Sequence, residues 1–166
     1  LGEAWVTDEM QFTQVMVGMS NLHTMLRTLD SSWCTPERAP FGTMGEICII
    51  VPSGVQHSLG ASILAGQMRR AGYDVYLGSD LKLDEIAQFV SSPATMVVML
   101  SASLWERLDF LSLVVKKVRE GNPWAPVLIG GNVLERGFDL CTVIGADYAT
   151  KDWQTALSFC AQRVET

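Results

Sequence analysis

Charge is scarce in this chain, and what there is leans one way. Only 18% of the 166 residues are charged, with 12 Lys and Arg against 18 Asp and Glu, which leaves a net charge of −6. An acidic chain with no offsetting Lys/Arg stripe repels a phosphate backbone, so direct nucleic-acid binding is excluded and any effect on DNA must pass through a partner. Long apolar runs are missing as well. Stretches such as Thr95 to Leu100 and Val127 to Ile129 fall far short of the roughly 20 residues that span a bilayer, so no membrane segment is expected. No signal peptide is expected either, and the leading Leu1 suggests a fragment excised from something larger. The cysteines form no CxxC pair: Cys34, Cys48, Cys141 and Cys160 lie far apart, and three of them sit in apolar surroundings. Reduced, inert thiols and a cytoplasmic location are therefore expected. None has an obvious basic neighbour to make it a redox sensor.

What is abundant is apolar character. Hydrophobic residues make up 48% of the chain, enough for one ordinary domain with a real core and against intrinsic disorder. Two patterns divide it. Phe12, Val15, Met16, Met19, Leu22, Met25, Leu26 and Leu29 recur at helical spacing, with Thr7 or Asp8 available as a cap, and predict an amphipathic helix within residues 1–30. Residues 31–45, rich in Ser, Pro and Gly, read as a linker. Beyond it, through 46–166, short apolar runs alternate with stretches of helical length. The runs are Glu46 to Val51, Asp74 to Leu77, Thr95 to Leu100, Pro126 to Ile129 and Tyr148 near Ala149. Between them helices are predicted at Leu59 to Ala71, Leu83 to Phe89, Leu104 to Glu120 and Val133 to Leu140, with Trp153 to Arg163 closing the chain. Strands apolar on both faces and separated by helices imply an α/β, doubly wound, five-stranded parallel sheet preceded by an N-terminal helix. Gly72, Gly121 and Gly145 follow helical stretches, where a left-handed terminal residue is expected.

In such a sheet a ligand lies at the carboxyl ends of the strands, near the switch in strand order. The loops there read Pro52-Ser-Gly-Val-Gln-His-Ser-Leu-Gly60, Ser101-Ala-Ser103 and Gly130-Gly131-Asn132. Neither GxGxxG nor GK[ST] is present, which sets aside dinucleotide and P-loop binding. Val51-Pro52 and Leu100-Ser101 stand where a phosphorylated receiver needs carboxylates. What remains is a neutral imidazole, His57, able to give one nitrogen to a metal. Beside it are glycines, Gly60, Gly130 and Gly131, that leave room for a bulky group. From the residues alone His57 can equally be an ordinary loop histidine and Gly130-Gly131 a simple turn. His23, Trp5 and the methionines Met16, Met19 and Met25 are read as packing residues.

The set resembles the cobalamin-binding-domain family. His57-Ser-Leu-Gly60 matches the His-x-x-Gly of its metal-ligand loop, Ser101 or Ser103 its third-strand serine, and Gly130-Gly131 its glycine pair. The resemblance covers roughly Glu46 to Gln162 and implies a cobalamin-binding-like, flavodoxin-like Rossmann fold. It departs from the family at Val55, where the pattern places Asp, and at Leu104, one place later than the usual Ser-x-Leu. The front segment, Leu1 to Leu22, resembles the lead-in of the AppA/PpaA/AerR-type antirepressors of photosynthesis genes, a group whose domain is described as sensing haem instead of cobalamin. That resemblance implies a non-catalytic sensor of a tetrapyrrole, light or redox state, haem or cobalamin being undecided. Its cofactor site would use His57 as metal ligand with Gly60, Ser101, Ser103, Gly130 and Gly131. Its partner would be a transcriptional repressor of the PpsR/CrtJ type. The alternatives are a corrinoid carrier module of a methyltransferase or mutase, and a scaffold that has lost its ligand. The sequence contains no convincing nucleophile, acid/base pair or metal cluster for independent catalysis.

Overall fold

A computed structural model of the chain describes residues 17, 18, 20–22, 24, 25, 28, 45–52, 59–103, 107–137 and 139–164. From Gly45 onward the chain alternates as expected: β1 (Glu46–Pro52), α1 (Leu59–Arg70), β2 (Asp74–Leu81), α2 (Leu83–Phe89), β3 (Thr95–Ser101), α3 (Leu108–Gly121), β4 (Val127–Gly130), a 3-10 turn (Asn132–Arg136), α4 (Leu140–Ile144), β5 (Tyr148–Ala149) and α5 (Trp153–Val164). All strand pairs are parallel, and their order is β2-β1-β3-β4-β5. This is the doubly wound sheet anticipated from the apolar runs.

The strands read as unbroken apolar runs because both faces are covered. In β1, Ile47, Ile49 and Val51 join α1 and α5 in one core, together with Val97, Met99 and Leu128. The intervening Cys48 and Ile50 join α2, α3 and α4 in a second core with Val98, Leu100, Val127 and Ile129. Period-two alternation thus sends consecutive side chains to opposite layers, each of which is buried. The thiols behave as expected for this burial. Cys48 and Cys160 are buried, and loss of hydration pushes the Cys160 thiol up to about 12.

Four details correct the sequence reading. The single helix expected over Val133 to Leu140 is two pieces, because Gly137 adopts a left-handed conformation (φ 73°) and Asp139 then caps a new helix by accepting from the Thr142 amide. Helix α3 starts at Leu108 and not at Leu104, since Arg107 has extended geometry (ψ 130°) and cannot continue a helix. Gly121 is not a left-handed terminator; it is the last residue of α3, and a Cβ there would stand 2.1 Å from the Ala87 carbonyl oxygen of α2. Glycine is required for close approach of two backbones, not for a turn. Met25, expected as core filler, is 62% exposed. The front residues that are described are helical, with the Thr24 and Thr28 hydroxyls donating to carbonyls four residues back. Trp5, Met16, Met19, His23, Cys34 and residues 31–44 lie outside the described residues.

At the amino edge of the sheet the chain is tied by polar groups. Buried Asn122 donates to the Ser92 carbonyl at 3.1 Å and accepts from the amides of Trp124 and Ala125. Beside it Asp147 accepts from Arg119 and from the Val127 amide, both at 2.6 Å, which sets β4 against β5. Removing the Asn122 amide group strands three buried or half-buried backbone groups, each of which costs about 1–3 kcal/mol when left unpaired. Asn122→Ala is therefore expected to lower unfolding free energy by about 2 kcal/mol or more, read as a lower urea midpoint with unchanged denaturant slope.

Candidate functional site at the carboxyl edge

The order β2-β1-β3 places the reversal of winding between β1 and β3. Helix α1 returns the chain across one face and α2 across the other, so a crevice opens at the carboxyl ends of those strands. A cavity of about 230 Å³ lies there, on the α1 and α5 side of the sheet. Its floor is Ile49, Met99 and Leu128 from the strands; one wall is Gly60, Ala61 and Leu64 of α1, and the other is Trp153 and Ala156 of α5.

Four of the six residues singled out from the sequence meet at this cavity: Gly60, Ser101, Gly130 and Gly131. Parallel pairing sets Ser101 opposite Gly130, and the Ala102 amide donates to the Gly130 carbonyl at 3.0 Å, so the third- and fourth-strand loops are stitched side by side. Ser101 is half-buried. Ser103 is half-buried and is not among the residues that line the cavity, whereas Ser101 is. His57 lies outside the described residues. Among the described residues no three His, Cys, Asp or Glu side chains converge to hold a metal.

The glycines divide by physical role. Gly131 has φ 104°, and a Cβ there would stand 2.2 Å from the Ala102 carbonyl oxygen; Gly130 would meet the Thr150 carbonyl at 3.0 Å. Their smallness is needed by the backbone as well as by any guest. Gly60 is different: it is in the first turn of α1, and a Cβ there meets nothing within 4 Å. Room for a bulky group, the reason expected for Gly60, is present there among the described residues.

Sequence reasoning missed the loop after β5. Thr150, Lys151 and Asp152 line the cavity, and the same rule that selected the other loops selects this one. Asp152 caps α5, accepting from the amides of Gln154 and Thr155 and from the Thr155 hydroxyl at 2.6 Å. That hydroxyl and those amides hold the Asp152 carboxyl below the usual carboxylate range. Lys151 pairs with Glu135 of the 3-10 turn at 3.1 Å, both side chains being about half exposed.

The match to known proteins agrees with this geometry. Residues 45–157 match the model of the B12 binding domain, and the chain belongs to that family. Over 159 residues it is 26% identical to an uncharacterized 20.5 kDa protein of Rhodobacter capsulatus from the bchF-crtJ intergenic region, a span of 95% of this chain and 82% of that one. Two solved structures share the fold at a TM-score of 0.65. One is a novel cobalamin-binding protein from Desulfitobacterium hafniense, 21% identical, with 98% of this chain and 75% of that one covered. The other is the monomethylamine corrinoid protein of Methanosarcina barkeri, 16% identical, with 97% and 76% covered. No helix among the described residues is long and apolar enough to cross a membrane.

The cavity fits the slender part of a B12 molecule. Its volume lies below the roughly 300–1,000 Å³ of sites that enclose whole drug-sized ligands, its floor is apolar, and no side chain among the described residues fills the space beside Gly60. A group the size of a whole macrocycle exceeds this volume.

Two outcomes follow. Gly60→Ala is expected to hold or raise stability by about 0.5 kcal/mol, the usual helix gain, whereas Gly131→Ala is expected to lose about 1–3 kcal/mol to backbone strain and crowding; urea unfolding of both variants checks the contrast. The depressed carboxyl of Asp152 contributes stability above its unfolded pKa of about 3.9 and loses it as pH falls through the lower folded value. The thermal midpoint should therefore drop as pH falls below about 4, and Asp152→Asn should shrink that drop.

Proposed function

We propose that this chain is a corrinoid-binding sensory domain that takes cobalamin at the carboxyl edge of its sheet and acts by protein contact on a repressor of the PpsR/CrtJ type. It is an antirepressor and not an enzyme on this reading. The observation that carries the binding half is the single cavity shared by Gly60, Ser101, Gly130 and Gly131 at the switch point. Ile49, Met99 and Leu128 would exclude water from an inserted tail, Ser101 offers it a hydrogen-bonding hydroxyl, and His57 would supply an imidazole to cobalt. Bound cobalamin would supply the light- and redox-responsive metal chemistry. Haem has no nucleotide tail to occupy the cavity, which favours cobalamin.

The regulatory half is supported by the Rhodobacter relative, whose gene lies next to crtJ. The Methanosarcina corrinoid protein favours a second reading, a carrier that presents cobalt to a methyltransferase. Val55 counts against it, because a carrier depends on tuning its cobalt ligand and the family pattern places Asp there.

Absorption titration with hydroxocobalamin and, separately, haemin tests the reading. A saturating shift with hydroxocobalamin is expected, altered in His57→Ala and weakened at least about tenfold in Gly60→Leu, a variant whose fold the open space at Gly60 should preserve. A shift with haemin alone would change the ligand. No shift with either would leave a scaffold acting only by contact. Repressor affinity that changes on loading supports the sensor, and methyl-transfer turnover with added corrinoid would restore the carrier.

A further inference from the structure

Lys151 is the one cationic residue among those that line the cavity, and its ammonium is engaged with the Glu135 carboxylate at 3.1 Å. The two belong to different loops of the same edge. Glu135 sits in the 3-10 turn that follows Gly131, and Lys151 in the link between β5 and α5. Both side chains keep about half their surface in water, so the pair is weakly held and either partner can be exchanged at small cost. Glu135 itself is not among the lining residues; the acidic residue of the described lining, Asp152, is committed to the start of α5. The remaining lining is neutral, with Ser101, Gln67 and Thr150 as its polar members.

Resting on the corrinoid reading above, we propose that Lys151 is a specificity-determining residue that selects corrinoids bearing a phosphate in their lower tail. Glu135 holds the ammonium in the ligand-free state and competes with the phosphodiester for it. A cobalamin tail carries one phosphodiester between its base and the macrocycle. With the base against Ile49 and Met99, that negative charge emerges at the cavity rim, where a lysine serves as a point-charge partner without demanding bidentate geometry. Binding then exchanges one exposed ion pair for another, and the Glu135 carboxylate returns to water.

An ion pair that merely braces two loops makes a different forecast from one that competes with a ligand. Removing either partner of a brace weakens binding in the same direction. Removing the two partners of a competing pair moves affinity in opposite directions. The test is titration of the full chain, as wild type, Lys151→Met, Lys151→Gln and Glu135→Gln, with hydroxocobalamin and with dicyanocobinamide, which keeps the macrocycle but lacks the phosphate and base. Lys151→Met and Lys151→Gln should weaken hydroxocobalamin about three- to tenfold and Glu135→Gln should tighten it about two- to threefold. Cobinamide affinity should be the same in all four proteins. The advantage of hydroxocobalamin over cobinamide in the wild type should shrink in high salt. Equal weakening of both corrinoids by the Lys151 variants, or weakening by Glu135→Gln, overturns the proposal and leaves a structural brace. Wild type that binds hydroxocobalamin while the Lys151 variants bind it equally well overturns this proposal alone. Wild type that binds neither corrinoid overturns the cobalamin reading, and this assignment with it.

Discussion

Parallel strands cannot be closed by tight turns, so each strand of this sheet must be followed by a crossover that carries the chain back over one face. Everything else in the molecule depends on that requirement. The first crossover, α1, covers one face on the way to β2, and the second, α2, covers the opposite face on the way to β3. Because β2 lies outside β1 and β3 lies inside, the two connections leave the sheet in opposite directions and cannot fill the space between them. The cavity is the geometric remainder of that reversal. Its lining joins α1 to segments at the ends of β3, β4 and β5 that have nothing in common in sequence except their position at a strand's carboxyl end.

The same requirement explains which parts of the fold were legible in the residues. Covered on both faces, β1, β3 and β4 had to be continuous apolar runs, and Ile47 to Val51 and Met96 to Leu100 announce themselves. Helix boundaries were harder. Gly137 and Asp139 divide a stretch that hydrophobic spacing alone joins, because a left-handed residue and a side-chain cap outweigh periodicity over so short a span. Asn122 is a polar residue in a turn and reads as solvent-facing, yet it is buried and organises the entry to β4. No local pattern reveals which turn amide will find a carbonyl 30 positions away.

The site was legible to the same degree and for the same reason. Gly60, Ser101, Gly130 and Gly131 follow well-marked strands, so their convergence could be anticipated. Thr150, Lys151 and Asp152 follow the two-residue strand Tyr148–Ala149, whose position the sequence does mark, but the loop behind it carries no glycine or histidine motif to single it out. The resemblance to the B12 binding family could be seen in three short pieces, each unspecific alone; the structure adds that Gly60, Ser101, Gly130 and Gly131, drawn from those pieces, line one space. It also separates the two candidate serines, which adjacent positions in a loop cannot do.

The contact at Gly121 carries a consequence for the two layers of the molecule. Where α3 ends, its backbone comes against the Ala87 carbonyl of α2 with no room for a methyl group, so the two helices are keyed together like interlocked plates. Across the sheet, α1 and α5 are separated by a void. The two layers thus differ: one is closed backbone to backbone and the other borders the cavity, with the sheet as the bulkhead between them. A group entering at the carboxyl edge would therefore be bordered by the α1 and α5 layer and not by the keyed one.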